Sequence, residues 1–283
     1  MRRSPAVSEH REGLGPLLVV TALADEARTF LRGTKGALAL HRRRATGGDS
    51  PSAGISGSSL PSPAPAFTKR SNARGAVVWV GPGSSGEGFL DGLLTSGNFA
   101  AVLFTGLAGS LSPRLPPGSI LVADEVVTTS GTRLVPAPLF PWALSALSGP
   151  GRGGEPHLCS GRLLSSVSLV ATPAEKERWA RETGALAVDM ESAGWLGAAL
   201  RAGVPAAVVR VISDGVQETL PPEILSFVAS DGSVSYGGIL RALLSRPALL
   251  SELLTLWPSL SLGRTTLARM GGQVATALQG EGA

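Results

Sequence analysis

Three acidic residues follow apolar segments of the chain, where their carboxylates could act on a bound molecule. Glu26 comes after the apolar run 16–23, Glu191 follows Ala185–Val188, and Asp214 follows Ala206–Ile212. If these runs are parallel strands, their carboxyl ends meet at one edge of a sheet. Three converging carboxylates suit glycosidic chemistry, in which one protonates the leaving group, one activates water and one holds sugar hydroxyls.

Each acid also has a simpler interpretation. Asp25 and Glu26 could be first-turn acids that interact favourably with a helix dipole, and the same holds for Asp189 and Glu191. Asp214, which precedes Gly215, could be an ordinary turn residue. The local sequence leaves both interpretations open.

Alternating strands and helices must position these acids. The hydrophobic pattern predicts an α/β fold with three α/β/α layers, in which helices flank a largely parallel central sheet. We expect turns at Gly81–Gly83 and Gly106–Gly109, although neither has the spacing of a Walker A or dinucleotide motif. The predicted strands cover 16–23, 76–80, 100–105, 119–127, 163–170, 185–188 and 206–212, and the predicted helices cover 24–32, 84–94, 173–183 and 190–202.

The chain is predicted to be one domain over its 283 residues. Residues 42–74 contain too few large apolar side chains to form a core, so we expect a disordered insertion there. The segment 237–278 is a leucine-rich helical tail, which Pro247 and Pro258 are expected to divide.

Charge and composition exclude several classes of function. Residues 1–74 carry ten Arg and two Lys against five acids, a balance of +7, which leaves the other 209 residues at −3 of the total +4. A nucleic-acid-binding body is therefore disfavoured. The single cysteine, Cys159, and three scattered histidines indicate no disulfide and no metal site. We expect neither a membrane span nor a secretory signal, and a cytoplasmic location.

Five motifs resemble the purine nucleoside phosphorylase/nucleosidase superfamily, and most closely the branch of methylthioadenosine/S-adenosylhomocysteine nucleosidases. They occur in the family's order and span most of 17–217. The motifs are Ala22-x-x-Asp-Glu26, Thr105-Gly-Leu-Ala-Gly-Ser110, Pro117-Gly-Ser-Ile-Leu-Val-Ala-Asp124, Asp189-Met-Glu-Ser192 and Arg210-Val-Ile-Ser-Asp214.

The resemblance implies catalytic roles for two acids. Glu26 would position or deprotonate the attacking water, and Asp214 would protonate the purine at N7, with Arg210 and Ser213 setting its orientation and charge. Burial would raise the pKa of Asp214 and let it hold a proton near neutral pH.

The remaining implied residues would bind the substrate, and no cofactor is expected. Met190 and Glu191 would contact the ribose, and Ala108 and Gly109 would line the sugar and base pocket. Residues 167–170 match the family's base-stacking segment but lack its usual Phe; the residues there are Val167, Leu169 and Val170, with Ser168 between them.

The nucleophile separates hydrolases from phosphorylases. Phosphorylases of the superfamily typically carry Gly-Asp-Pro-x-Arg near the start, whereas this chain has Ala24-Asp-Glu-Ala-Arg28. The acid at Glu26 would repel phosphate and favours water, while Arg28 leaves phosphorolysis open.

Three further motifs are Asp231-Gly-Ser-Val-x-x-Gly-Gly-Ile-Leu-Arg-Ala-Leu-Leu-Ser-Arg-Pro247, Gly161-Arg-Leu-Leu and Ala171-Thr-Pro-Ala-Glu-Lys176. They resemble a branch linked to hopanoid biosynthesis, which releases adenine from adenosylhopane, a nucleoside with a triterpenoid at its 5′ carbon. A soluble purine nucleoside phosphorylase, a methylthioadenosine/S-adenosylhomocysteine nucleosidase and a nucleoside-binding protein with a dead site remain alternatives. The family implies a homodimer. The tail leucines could bind the lipid, complete the core, form a dimer interface or contact a membrane; they are Leu240, Leu243, Leu244, Leu249, Leu250, Leu253 and Leu254.

Overall fold

The computed structural model describes residues 16–34, 38–41, 75–80, 87–138, 147, 157–228 and 232–280. The predicted insertion 42–74, the predicted turn 81–83 and the predicted first residues of the helix 84–94 lie outside these residues. The helices described are α1 Ala24–Gly33, α2 Glu87–Ser96, α3 Pro173–Thr183, α4 Ser192–Ala202, α5 Tyr236–Ser245 and α6 Leu249–Gly280. The strands described are β1 Leu17–Thr21, β2 Ala39–His41, β3 Gly75–Trp79, β4 Ala101–Ser110, β5 Ile120–Thr128, β6 Arg133–Leu134, β7 Leu158–Ser165, β8 Ala187–Asp189 and β9 Ala206–Asp214.

The strands form one sheet with two parallel groups. Strands β2, β3, β1, β4 and β9 pair in parallel, and so do β5, β7 and β8. The two groups meet antiparallel at β4–β8 and at β5–β9. These pairings close β4, β8, β7, β5 and β9 into a ring, which leaves no open edge among those five strands.

Side chains of the central strands alternate between two hydrophobic clusters, one on each face of the sheet. Leu18 and Val20 of β1 belong to a cluster that includes residues of α2 and α4. Leu17 and Val19 belong to the other, together with residues of α1 and α6. Burial on both faces explains why these strands read as continuous apolar runs. The prediction of an α/β fold with helices flanking a largely parallel sheet is confirmed.

Two predicted boundaries near the acids are wrong. Gly106–Gly109 is not a turn, because β4 continues to Ser110 and these residues pair with β9. The strand predicted at 163–170 is Leu158–Ser165, and it ends where the Ser166 hydroxyl donates to the carbonyl of Ser168 at 2.7 Å. Residues 167–170 therefore form a loop beyond the sheet.

The tail is divided at one proline and not at the other. Pro247 lies between α5 and α6, as predicted, whereas Pro258 lies inside α6. Proline cannot donate to the carbonyl four residues earlier, here that of Leu254. Both residues are exposed, so water can bond that carbonyl and the helix continues. Among the described residues, no helix is both long and apolar enough to cross a bilayer.

Candidate active site

Glu26 is a buried carboxyl in the first turn of α1. Its Oε2 accepts from the backbone N–H of Leu23 at 3.0 Å, so it does interact with the helix N-terminus. Its Oε1 accepts from the backbone N–H of Leu107 in β4 at 2.8 Å, which ties the helix to the sheet. Burial raises the pKa of Glu26, opposed by these N–H donors and by the positive charge of Arg210.

Gly106 lets Glu26 approach β4. Its φ is +146°, and a Cβ there would lie 2.8 Å from Nη1 of Arg210 and 3.0 Å from Oε1 of Glu26. A side chain would strain the backbone and collide with both groups. Gly106, which was predicted to lie in a turn, thus leaves room for the Glu26 carboxyl and the Arg210 guanidinium.

Arg210 does not contact Asp214, contrary to the expectation from the family resemblance. It forms a buried ion pair with Asp189 and donates to the Ser192 hydroxyl from Nε at 3.2 Å and from Nη2 at 2.8 Å. Its guanidinium carbon also lies over the ring of Trp195, 5.3 Å from the ring centre. Since Asp189 ends β8 and Arg210 lies in β9, this cluster joins the two parallel groups of strands.

Asp189 matches the simpler interpretation made from sequence. Its Oδ1 accepts from the backbone N–H of Ser192 at 3.4 Å, at the start of α4, and the Ser192 hydroxyl donates to its Oδ2. It is therefore a helix-start acid that also neutralises Arg210.

Asp214 is the last residue of β9 and is buried, so it is not an ordinary turn residue. The Ser213 hydroxyl lies 2.8 Å from Oδ1 and 3.2 Å from the carbonyl oxygen of Ala108. A Cβ on Gly109 would lie 3.1 Å from Oδ2. Burial raises the pKa of Asp214, opposed chiefly by the neighbouring charge of Lys176. Ala108, Gly109 and Ser213 thus lie beside this acid.

Lys176 is a site residue that the sequence argument missed. Its Nζ lies 2.7 Å from Oδ2 of Asp214, and its side chain is fully buried. A signal was available, because Lys176 shares a helix face with Trp179 and Ala180, three and four positions later. Those are the partly buried apolar residues of α3, so the helical period points Lys176 inward.

Two glycines of β4 mark the positions of the two acids. Glu26 lies against Gly106 and Asp214 lies against Gly109. Both acids therefore lie along β4, at positions three residues apart.

The predicted substrate-binding residues lie around the end of β8. Met190 and Glu191 are half-buried between β8 and α4, and the Met190 N–H lies 3.3 Å from Oε2 of Glu191. Residues 167–170 follow β7, whose last residue, Ser165, pairs with Asp189 of β8.

Only part of the predicted base-stacking segment 167–170 is exposed. Val167 is 88% exposed and Leu169 is half-buried. Val170 is buried in a small core cluster with Leu164 and Val188. Its predicted contact with the base is not supported by that position.

The described residues contain no group of three His, Cys, Asp or Glu arranged to bind a metal ion. Arg28, which left phosphorolysis open, is exposed. It lies two residues after Glu26 and hence about 200° around the helix. It therefore points away from the carboxyl.

Solved structures of nucleosidases share this fold. The 5′-methylthioadenosine/S-adenosylhomocysteine nucleosidase of Helicobacter pylori, complexed with a substituted pyrrolidinol, matches at 17% identity with a TM-score of 0.56, covering 95% of this chain and 98% of its own. Futalosine hydrolase of the same organism matches at 17% identity with a TM-score of 0.58, covering 95% and 97%. The 5′-methylthioadenosine nucleosidase of Arabidopsis thaliana matches at 13% identity with a TM-score of 0.58, covering 96% and 98%.

Comparison of sequences gives the family. No curated protein matches the chain significantly. The family model described as the phosphorylase superfamily matches residues 58–245, about two thirds of the chain. That range contains Lys176, Asp189, Arg210 and Asp214, whereas Glu26 precedes it. With the fold and this match together, the chain belongs to the phosphorylase superfamily.

Proposed function

We propose that this protein hydrolyses the N-glycosidic bond of an adenine nucleoside, with Asp214 as general acid and Glu26 as the group that activates water. The observation that supports this proposal is that the carboxyl groups of Glu26 and Asp214 have different hydrogen-bond partners. The partners identified around Glu26 are donors, which suit a carboxylate that accepts a proton from water. At Oδ1 of Asp214 the Ser213 hydroxyl donates a hydrogen bond, and because a hydroxyl can also accept, its oxygen can take a hydrogen bond once Oδ1 is protonated.

The reaction would proceed as follows. Asp214 gives its proton to N7 of adenine, and the bond from C1′ to N9 breaks with its electron pair going to N9. The sugar becomes oxocarbenium-like, and Glu191 would hold its hydroxyls. Water adds to C1′ and loses a proton to Glu26. The products are adenine and the free sugar, and both acids return to their starting state by proton exchange with solvent.

Water is favoured over phosphate by the charges around Glu26. A phosphate dianion needs an unpaired cation, but Arg210 is paired with Asp189 and Arg28 is exposed on another side of α1. The carboxylate of Glu26 would also repel phosphate.

For the substrate we propose adenosylhopane, with methylthioadenosine as the alternative. The support is the exposed apolar surface of the tail: Leu240 and Leu244 lie one turn apart on α5, as do Leu250 and Leu254 on α6, and all four are more than half exposed. Leu243 and Leu253 are half-buried, and Leu249 is buried, so that one packs in the core. A triterpenoid requires an apolar surface of this kind.

The proposal is tested by measuring adenine release from adenosylhopane, methylthioadenosine and adenosine, with and without phosphate. We expect release without phosphate, fastest with adenosylhopane. Strict dependence on phosphate would contradict hydrolysis, and no release from any of the three would overturn the proposed function.

The lipid assignment has its own test. Replacing Leu240 and Leu244 with Ser should raise KM for adenosylhopane about tenfold, since two apolar side chains that a bound lipid covers contribute a few kcal/mol at most. The KM for methylthioadenosine should not change. Val135→Ser, at an exposed position of the loop after β6, is the matched control. An equal rise for both substrates would argue against a lipid-binding surface.

The same leucines could also contact a membrane or a second copy of the chain, and we propose a homodimer that touches the membrane surface. Sedimentation velocity measures the oligomeric state, and flotation with phospholipid vesicles measures membrane contact. A monomer in sedimentation would contradict the homodimer. A protein that stays at the bottom of the flotation gradient would contradict the membrane contact.

A further inference from the structure

Lys176 occupies an unusual position for a lysine. All residues of α3 are described, and Lys176 alone among them is buried, with no exposed surface. Its neighbours along the helix include exposed Glu177 and Arg178. A lysine side chain is seldom buried without a partner, because removing an ammonium group from water is costly. Helix α3 therefore places one positive charge in the interior of the protein.

The surroundings of Lys176 match a charged ammonium group. Its Nζ lies 2.7 Å from Oδ2 of Asp214, 2.7 Å from the carbonyl oxygen of Gly215 and 2.9 Å from that of Glu218. Three acceptors correspond to the three N–H bonds of an ammonium group. The two carbonyls carry no net charge, so Asp214 is the counter-ion at this contact.

The segment that supplies the carbonyls is itself held in place. The carboxylate of Glu218 accepts from the backbone N–H of Gly215 at 2.6 Å and from the hydroxyl of Ser259 in α6 at 2.6 Å. This carboxylate also raises the pKa of Asp214 by repulsion, in the opposite direction to Lys176. Within the part of the chain that the structure describes, Lys176 and Glu218 are the charged groups that shift the pKa of Asp214.

The contact at Oδ2 determines which oxygen of Asp214 can carry a proton. An ammonium donor at Oδ2 disfavours a proton there, which leaves Oδ1. The Ser213 hydroxyl next to Oδ1 has one hydrogen and can donate it to the carbonyl of Ala108, 3.2 Å away. Its oxygen is then free to accept from a proton on Oδ1, 2.8 Å away.

We propose that Lys176 is a positioning residue for the general acid: it holds Asp214 by Oδ2, directs the transferable proton to Oδ1 and stabilises the carboxylate that remains after transfer. The inference rests on the proposed function, because it assigns a partner to the acid of that reaction. It adds a residue on α3 for which the family resemblance gave no role.

The test replaces Lys176 with Met, which has a similar length and no charge. We expect kcat for adenine release to fall about 100-fold, within the range for general acid catalysis, and KM to change little. Loss of the cation should raise the pKa of Asp214. The pH at which activity declines on the alkaline side should therefore move upward by about one unit or more. Lys176→Arg keeps the charge, so the pH at which its activity declines on the alkaline side should stay near the wild-type value.

A double variant separates this role from a general structural one. Because Lys176 acts through Asp214, adding Lys176→Met to Asp214→Asn should cause no further loss of kcat. It also removes both buried charges, so it should fold even if Lys176→Met alone does not. The inference would be overturned if the alkaline decline in activity of Lys176→Met occurred at the wild-type pH, or if the double variant lost further kcat. Absence of adenine release by the wild-type protein would instead overturn the proposed function.

Discussion

The two acids of the candidate site are both buried, yet their surroundings differ. Glu26 is surrounded by backbone N–H donors and by an arginine that Asp189 already neutralises. Asp214 has the ammonium group of Lys176 at one oxygen and a serine hydroxyl at the other. A hydroxyl can either donate or accept, whereas an N–H group can only donate. Burial alone therefore does not assign the roles of acid and base, and the partners of each oxygen must be considered.

The largest effect is expected for Asp214→Asn. An amide cannot transfer a proton to N7, so kcat for adenine release should fall about 1,000-fold, with KM changed little. The measurement is steady-state release of adenine. Asp124→Asn, at an exposed position, is the matched control and should keep wild-type activity. Full activity in Asp214→Asn would show that Asp214 is not the general acid, and the proposed difference in role between Asp214 and Glu26 would be wrong.

Glu26→Gln should have the next largest effect on rate. The amide cannot accept a proton from water and would bring an N–H group toward donors it now faces, so kcat should fall about 100-fold. Exposed Glu177→Gln is the control. If Glu26→Gln lost activity with water but gained it with phosphate, the assignment of Glu26 to water would be strengthened. Unchanged hydrolysis would contradict that assignment.

The glycine beside Glu26 provides a test through stability. Gly106→Ala would place a methyl group against Arg210 and Glu26 at a positive φ, and we expect a loss of about 2 kcal/mol in the free energy of unfolding. Gly92→Ala in α2, where a Cβ meets no atom within 4 Å, should instead stabilise slightly. Chemical denaturation of both variants measures the difference. Equal stability would mean that Glu26 and Arg210 can move away from β4.

The smallest effect concerns pH. Because burial raises the pKa of Glu26 above its ordinary value of about 4.5, the folded protein binds this proton more tightly than the unfolded chain does. The stability from this proton is present below pH 4.5 and is lost as pH rises through the folded-state pKa. Glu26→Gln is neutral at every pH, so its melting temperature relative to wild type should increase over that window. A constant or falling difference would show that the N–H donors outweigh burial.

The sequence predicted the sheet and the order of its elements because buried strands and capped helices leave periodic apolar patterns. Helix α3 was predicted with its observed bounds, because Pro173 is typical of a first helical turn. The structure adds that Thr172 caps its start and that Gly184 ends it in a left-handed conformation. The extension of β4 through Gly106–Gly109 could not be predicted, because glycine commonly marks turns. Its reason is tertiary: side chains from α1 and β9 fill the space where a Cβ would be.

What the sequence determined by itself was the local pattern: which segments become strands and helices, and that acids follow three of the strands. Only the tertiary structure decided the partners of those acids. It paired Arg210 with Asp189 and Lys176 with Asp214, although Lys176 and Asp214 are 38 residues apart. The physical reason is that a charge contributes to a site through distance and burial, and both depend on how distant segments pack.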